Sequence, residues 1–341
     1  MGKYIWTYDV IYMPETYQII MKLLVITDSY PPYHSGGYEL RCKNVVDLLI
    51  DRGHEIEVIT TVHENAHGVK PDQPNIHRKL HQIHSVQGLI RKVYTEYTDI
   101  RYVDKQIKKF NPDIIYLWHI INFTKSFFPY LAEINKPIVF DEGGKGIAEA
   151  WTTHGIWYNF IFKKGKSKYK NLIKNLLRII IPRFSSNLLK SNWHWPAQLT
   201  GYFNSNSGLV YAKRKGVPFN KFTVIHSGLF LNRFPFEPKP KIEYPIQIFI
   251  PGRIAEIKGQ IDVIQLLNYL QKNKIPAQVT IAGAVFSETY FNELCQEVEK
   301  NHLSSQIVIL PKVDYGEMKE LYQASDVCFF SSYQKFGFSR V

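Results

Sequence analysis

Arg253 and Lys258 stand five residues apart in the stretch IPGRIAEIKGQ, residues 250–260. An apolar, β-branched run ends at Pro251-Gly252, and Gly259 closes a turn before a helical pattern resumes. Both cations therefore project from the end of a strand, beside the start of a helix. In open parallel sheets that is where ligands collect. Two cations next to a helix N-terminus suit a diphosphate. A solvated basic turn has the same sequence, so the stretch alone leaves both readings open.

Other segments carry weaker signals. Gly36 and Gly37, in DSYPPYHSGGYE (28–39), follow a first strand and could either admit a ligand to the backbone or simply turn the chain. FDEGGKG offers Asp141 and Glu142 ahead of three glycines, without the full spacing of a phosphate-binding loop, which favours a turn. His119 closes PDIIYLWHI, one residue beyond Trp118. A single step along a strand reverses the side chain's face, so His119 either reaches the cleft beyond the strand end or is a satisfied structural histidine. The sequence contains no Asp-X-Asp, and no metal bridge to phosphate is expected. Cys42, Cys295 and Cys328 are scattered and odd in number, which favours neither a disulfide framework nor a zinc site. A reducing cytoplasm is the default expectation.

The elements that must position these residues are legible as short apolar runs. KLLVIT, EIEVIT, DIIYLW and PIVF come first; FTVIH, IQIFIP, QVTIAG (278–283), IVILP and VCFFSS follow. Several are apolar on both faces, as strands covered by helices on both sides must be. Helical patterns such as YELRCKNVVDLLIDRG, with a stop at Gly53, lie between them. The expectation is an α/β protein of two doubly wound units. Four prolines in FPFEPKPKIEYP mark a linker over 235–245, separating a unit at 21–234 from one at 246–341. Residues 1–20 sit awkwardly before the strand that follows Met21, and read as a mis-assigned start or an extension.

The 341 residues are 45% hydrophobic and 21% charged, an ordinary globular balance. A net charge of +12 calls for an anionic partner. Residues 163–183 hold eight Lys or Arg and no acid, with Leu172, Ile173, Leu176, Leu177 and Ile180 on one helical face. That face could pack onto the domain or rest on an anionic membrane surface. No nucleic-acid-binding motif accompanies the charge.

The pattern of strand, Gly-Arg, four residues and Lys-Gly resembles the donor-phosphate motif of the GT4 family of retaining glycosyltransferases, which have a GT-B fold of two Rossmann-like domains. YFNSNSGLVYAKRKGVPFNKFTVIHSGLFLNRF (202–234) and VDYGEMKELYQASDVCFFSS (313–332) resemble further segments in that family's order. The resemblance implies sugar transfer from a nucleotide-sugar co-substrate to a glycan or lipid-linked acceptor, at the inner face of the membrane, for surface polysaccharide or glycolipid synthesis. It implies donor contacts at Gly36, Gly37, Gly252, Arg253, Lys258, Gly283, Phe336 and Gly337, and acceptor contacts at His119 and Asp141. Arg253 and Lys258 would neutralise the leaving phosphates. Aligned on Phe336-Gly337, Gln334 falls where the family carries the first glutamate of Glu-X7-Glu, and the second would be residue 342. From this the second domain is expected to be incomplete, VCFFSS to be an exposed edge, and activity to be impaired. A complementing C-terminal fragment would then be a partner. The alternatives are a non-catalytic chain that binds a nucleotide-sugar or a partner, and a GT-B epimerase.

Overall fold

The structure, a computed structural model, describes residues 19–33, 37–62, 73–118, 122–123, 127–152, 167–184, 199–217, 221–228, 241–313 and 315–333. The chain divides into two compact units, Met1–Ile225 and His226–Val341. Among the described residues, 241–245 of the expected linker are exposed and irregular; 229–240 lie outside them.

In the first unit, β1 (Lys22–Ile26), β2 (Glu55–Thr61), β3 (Ile76–Leu80), β4 (Ile114–Leu117), β5 (Ile138–Glu142), β6 (Leu199–Phe203) and β7 (Phe222–Val224) form one sheet. Its order is β3-β2-β1-β4-β5-β6-β7, with every pairing parallel. The order reverses beside β1, which makes the C-terminal ends of β1 and β4 a topological switch point. β1 shows why both faces need helices. Leu24 and Ile26 enter one buried cluster with Ile59 and Leu117. Leu23 and Val25 enter another with Val58 and Trp118. The intervening helices are α1 (Gly37–Asp51), α2 (Leu89–Phe110), α3 (Phe127–Glu133), α4 (Gly146–Thr152), α5 (Lys168–Phe184) and α6 (Asn206–Arg214). α1 ends ahead of Gly53, whose φ of 85° an L residue adopts only with strain.

The second unit repeats the plan. β8 (Ile246–Pro251), α7 (Val263–Lys272), β9 (Ala277–Ala282), α8 (Glu288–Lys300), β10 (Ile307–Leu310), α9 (Tyr315–Ala324) and β11 (Val327–Cys328) give the parallel order β10-β9-β8-β11. Ile248, Ile250, Leu267, Val279, Ile281 and Leu294 share its core. Among the described residues β11 lies at the edge, with Val327 and Phe330 exposed. The run VCFFSS is a strand only at Val327–Cys328, plus one bond from the Phe329 amide to the Phe249 carbonyl (2.9 Å). Beyond that point Ser331, Ser332 and Tyr333 hydrogen-bond to the turn that follows β8.

Phe249 is fully buried in β8, edge-on to Tyr322 of α9 at 5.0 Å. Phe249→Ala should cost about 3–5 kcal/mol, the usual range for an aromatic removed from a core. Denaturant unfolding should show that loss in the transition of the second unit, with the first unit's transition unmoved.

Candidate functional site

The basic turn is built by two strand ends that zip together past the sheet. The Gly252 amide donates to the Ala282 carbonyl (2.9 Å), Ile254 to Ala284 (2.9 Å) and Phe286 back to Ile254 (3.0 Å). This approach dictates glycine. Gly283 has φ 154°, and a Cβ on it would lie 2.2 Å from the Gly252 carbonyl oxygen. Gly252 itself has φ 129°. The chain then makes a short 3-10 turn, Glu256–Lys258, ended by Gly259 in the left-handed conformation at φ 62°.

Side chains fix the two cations on this frame. The Arg253 guanidinium lies over the Phe286 ring at 4.8 Å from its centre. Buried Gln260 donates through Nε2 to the Arg253 carbonyl at 2.8 Å. Ser287 donates to Glu256 at 2.6 Å, which holds that carboxyl below the usual range and ties the turn to the start of α8. Lys258 is half-buried. Burial pushes its pKa below the ordinary lysine value, and the neighbouring charge of Arg253 pushes the same way. A lysine ammonium that is partly desolvated beside a second cation is better satisfied with an anion near both.

In the first unit, Gly37 opens α1 after the loop that follows β1. Arg78 of β3 clasps this loop, donating to the carbonyls of Tyr30 (3.0 Å) and Pro31 (2.8 Å) with its guanidinium over the Tyr33 ring. Nothing in IHRKL singles that arginine out; its role exists only once β3 lies beside β2. Asp141, at the end of β5, is 1% exposed. Its carboxylate pairs with Arg41, and it accepts from the Tyr38 hydroxyl at 2.8 Å. Burial raises its pKa and the Arg41 charge opposes that. Arg41 is stacked between Tyr38 and Trp118, with ring centres at 4.9 and 4.8 Å. An acceptor would meet Asp141 only through these partners. Glu142 accepts from the amides of Gly144 and Ile147, both at 2.7 Å, so the Gly-Gly segment is a turn closed on its own glutamate. Gly143 packs on Tyr38 so closely that a Cβ would lie 2.3 Å from the ring.

Gly36, His119, Gln334, Phe336 and Gly337 lie outside the described residues. Trp118, the residue before His119, is fully buried. Among the described residues no cluster of His, Cys, Asp and Glu could hold a metal ion. On α5, Tyr169, Leu172, Ile173, Leu176, Ile179 and Ile180 are exposed, from 44% at Ile180 to 81% at Tyr169. The alternative in which this face packs onto its own domain does not hold at these positions. No helix among the described residues is long and apolar enough to cross a membrane.

Two family models match the chain, Glycosyltransferase Family 4 over residues 35–192 and Glycosyl transferases group 1 over residues 233–340. An uncharacterized glycosyltransferase of Methanocaldococcus jannaschii is 22% identical, over 93% of this chain and 76% of its own length. Sucrose-phosphate synthase of Thermosynechococcus elongatus superposes with a TM-score of 0.61 at 14% identity, covering 94% of this chain and 77% of that one. HepE of Anabaena, solved with UDP-glucose, gives a TM-score of 0.56 at 18% identity, with 94% and 76% covered. Two parallel Rossmann-like units of this kind define a GT-B protein. With both family models matched, the chain belongs to the GT4-type glycosyltransferases.

Arg41→Ala would leave Asp141 buried without its counter-charge. Unfolding of the first unit should then fall by about 3–5 kcal/mol, and adding Asp141→Asn should recover part of the loss. Equal stability of Arg41→Ala and wild type would show the pair to be dispensable.

Proposed function

We propose that the chain transfers a sugar from a nucleotide-sugar donor to an acceptor with retained anomeric configuration, binding the donor diphosphate at Arg253 and Lys258. The observation that carries this reading is the placing of Arg253, held over Phe286, and half-buried Lys258 on one glycine-shaped strand end. Nucleotide-bound structures of HepE support the choice of donor class. In the reaction the bond from the anomeric carbon to the phosphate oxygen breaks, the sugar gains oxocarbenium character, and the acceptor hydroxyl oxygen bonds to the anomeric carbon while its proton passes to the departing diphosphate. Negative charge grows on the departing diphosphate. Arg253 and Lys258 stabilise that charge more in the transition state than in the ground state. Gly252 and Gly283 leave the backbone bare where the phosphates approach, with no metal required. Gln334 would sit near the reacting sugar with hydrogen-bonding capacity but no charge.

The acceptor is a glycan or a lipid-linked sugar, met on the first unit, where His119 and Asp141 are the acceptor-side residues. The product serves surface polysaccharide or glycolipid synthesis. Exposed apolar side chains on α5, interleaved with Lys168, Lys170, Lys174 and Arg178, would rest on an anionic membrane surface as a peripheral contact. The exposed β11 edge favours a second reading, in which the chain binds donor or a complementing fragment without turnover.

Incubation with UDP-, GDP- and ADP-sugars should release nucleotide from one class. Lys258→Ala should cut kcat by about 10²–10³, as for loss of a preorganised charge stabiliser. Unchanged turnover in that variant would sink the assignment; tight binding without release in wild type would favour the second reading.

Affinity for the nucleoside diphosphate depends on a protonated Lys258 and so should weaken as pH rises through its lowered pKa, below the ordinary lysine range. Lys258→Arg, always charged, should flatten that slope. Co-sedimentation with phosphatidylglycerol vesicles should exceed that with phosphatidylcholine and collapse in Leu172→Glu/Ile179→Glu; equal sedimentation with both lipids would remove the membrane contact.

A further inference from the structure

Three residues after β11 make an uninterrupted series of bonds to the turn that carries Lys258. The Ser331 hydroxyl donates to the carbonyls of Gly259 (2.5 Å) and Lys258 (3.3 Å). Ser332 Oγ and the Tyr333 amide both donate to the Ile257 carbonyl, at 3.1 and 2.9 Å. The Tyr333 hydroxyl reaches both carboxylate oxygens of Asp262 at 2.7 Å. Backbone contact is equally close, since a Cβ on Gly259 would lie 2.5 Å from the Ser331 carbonyl oxygen. The Tyr333 ring is 60% exposed, so these polar contacts fix it rather than burial.

The carbonyls of Ile257 and Lys258 belong to a short 3-10 turn that Gly259 closes, a geometry with poor internal hydrogen bonds and few means of holding itself. The turn is also tied to the start of α8 through Ser287–Glu256, and the residues that follow it through the Ile261 amide, which donates to the Tyr290 hydroxyl at 2.9 Å. The side facing β11 has the contacts made by Ser331, Ser332 and Tyr333. Asp262 adds a charge-assisted bond, stronger than a neutral one.

We propose that Ser331 and Tyr333 are positioning residues, which lock the Lys258 turn to the segment leaving β11 so that lysine and segment present themselves to a nucleoside diphosphate as one piece. The proposal rests on Lys258 being a diphosphate ligand, and explains why the strand ends at Cys328. Ser331 to Tyr333 leave the sheet ladder because the turn uses their donors.

The test uses the full chain with Tyr333→Phe, Asp262→Ala and the double variant. Amide exchange in peptides spanning 256–262 should speed up about tenfold in each single variant, the scale of one lost hydrogen bond. The donor found in the sugar-nucleotide panel should show a similar drop in kcat at an unchanged KM, with the thermal midpoint held. The double variant should be no worse than either single one, as for two halves of one contact. Unchanged exchange in 256–262, or effects that add, would overturn the clamp. Should Lys258→Ala leave kcat intact, the donor reading fails by itself, and amide exchange with the double-variant comparison decides the clamp. Ser331→Ala provides an independent check, since it removes the other anchor and should speed exchange in the same peptides.

Discussion

The close approach of the β8 and β9 strand ends is the constraint on which the second unit's chemistry depends. Gly252 and Gly283 stand where a Cβ or an ordinary φ cannot be accommodated, and the zipped main chains force the next residues outward as a turn. Arg253 and Lys258 are the side chains that this turn presents. Their mutual repulsion and partial burial are tolerated because the turn is hydrogen-bonded from two sides. In the proposed reaction such a turn has its charge arranged before the donor arrives, which is how electrostatic stabilisation avoids reorganisation.

The first unit shows a different solution to the same loop problem. Its strand ends are held by a buried ion pair, Arg41–Asp141, enclosed by Tyr38 and Trp118, and by Arg78 clasping the loop after β1. Such a pair contributes little net stability compared with apolar packing, yet removing one member is costly. Its value lies in fixing α1 and the end of β5 to each other, so that the residues near Gly37 and Asp141 have one geometry.

Much of this fold was readable from apolar runs, and the exceptions have physical reasons. β3 reads IHRKL and escaped notice because an edge strand carries polar side chains that period and hydrophobicity cannot separate from a loop. β6 reads LTGYF, with Gly201 pressed against the backbone of Phe140, a close approach visible only in three dimensions. The turn that carries Arg253 and Lys258 was legible because glycines bracket it within a few residues. Arg78, Ser331 and Tyr333 were not, since their partners lie tens of residues away along the chain. The apolar positions on α5 were visible as a stripe, but only the structure shows that the stripe is exposed.

The most direct test of the donor site is a crystal structure of the chain soaked in turn with UDP, GDP and ADP. The account predicts diphosphate oxygens within hydrogen-bonding distance of both the Arg253 guanidinium and the Lys258 ammonium. A diphosphate held elsewhere, with both side chains unengaged, would contradict it.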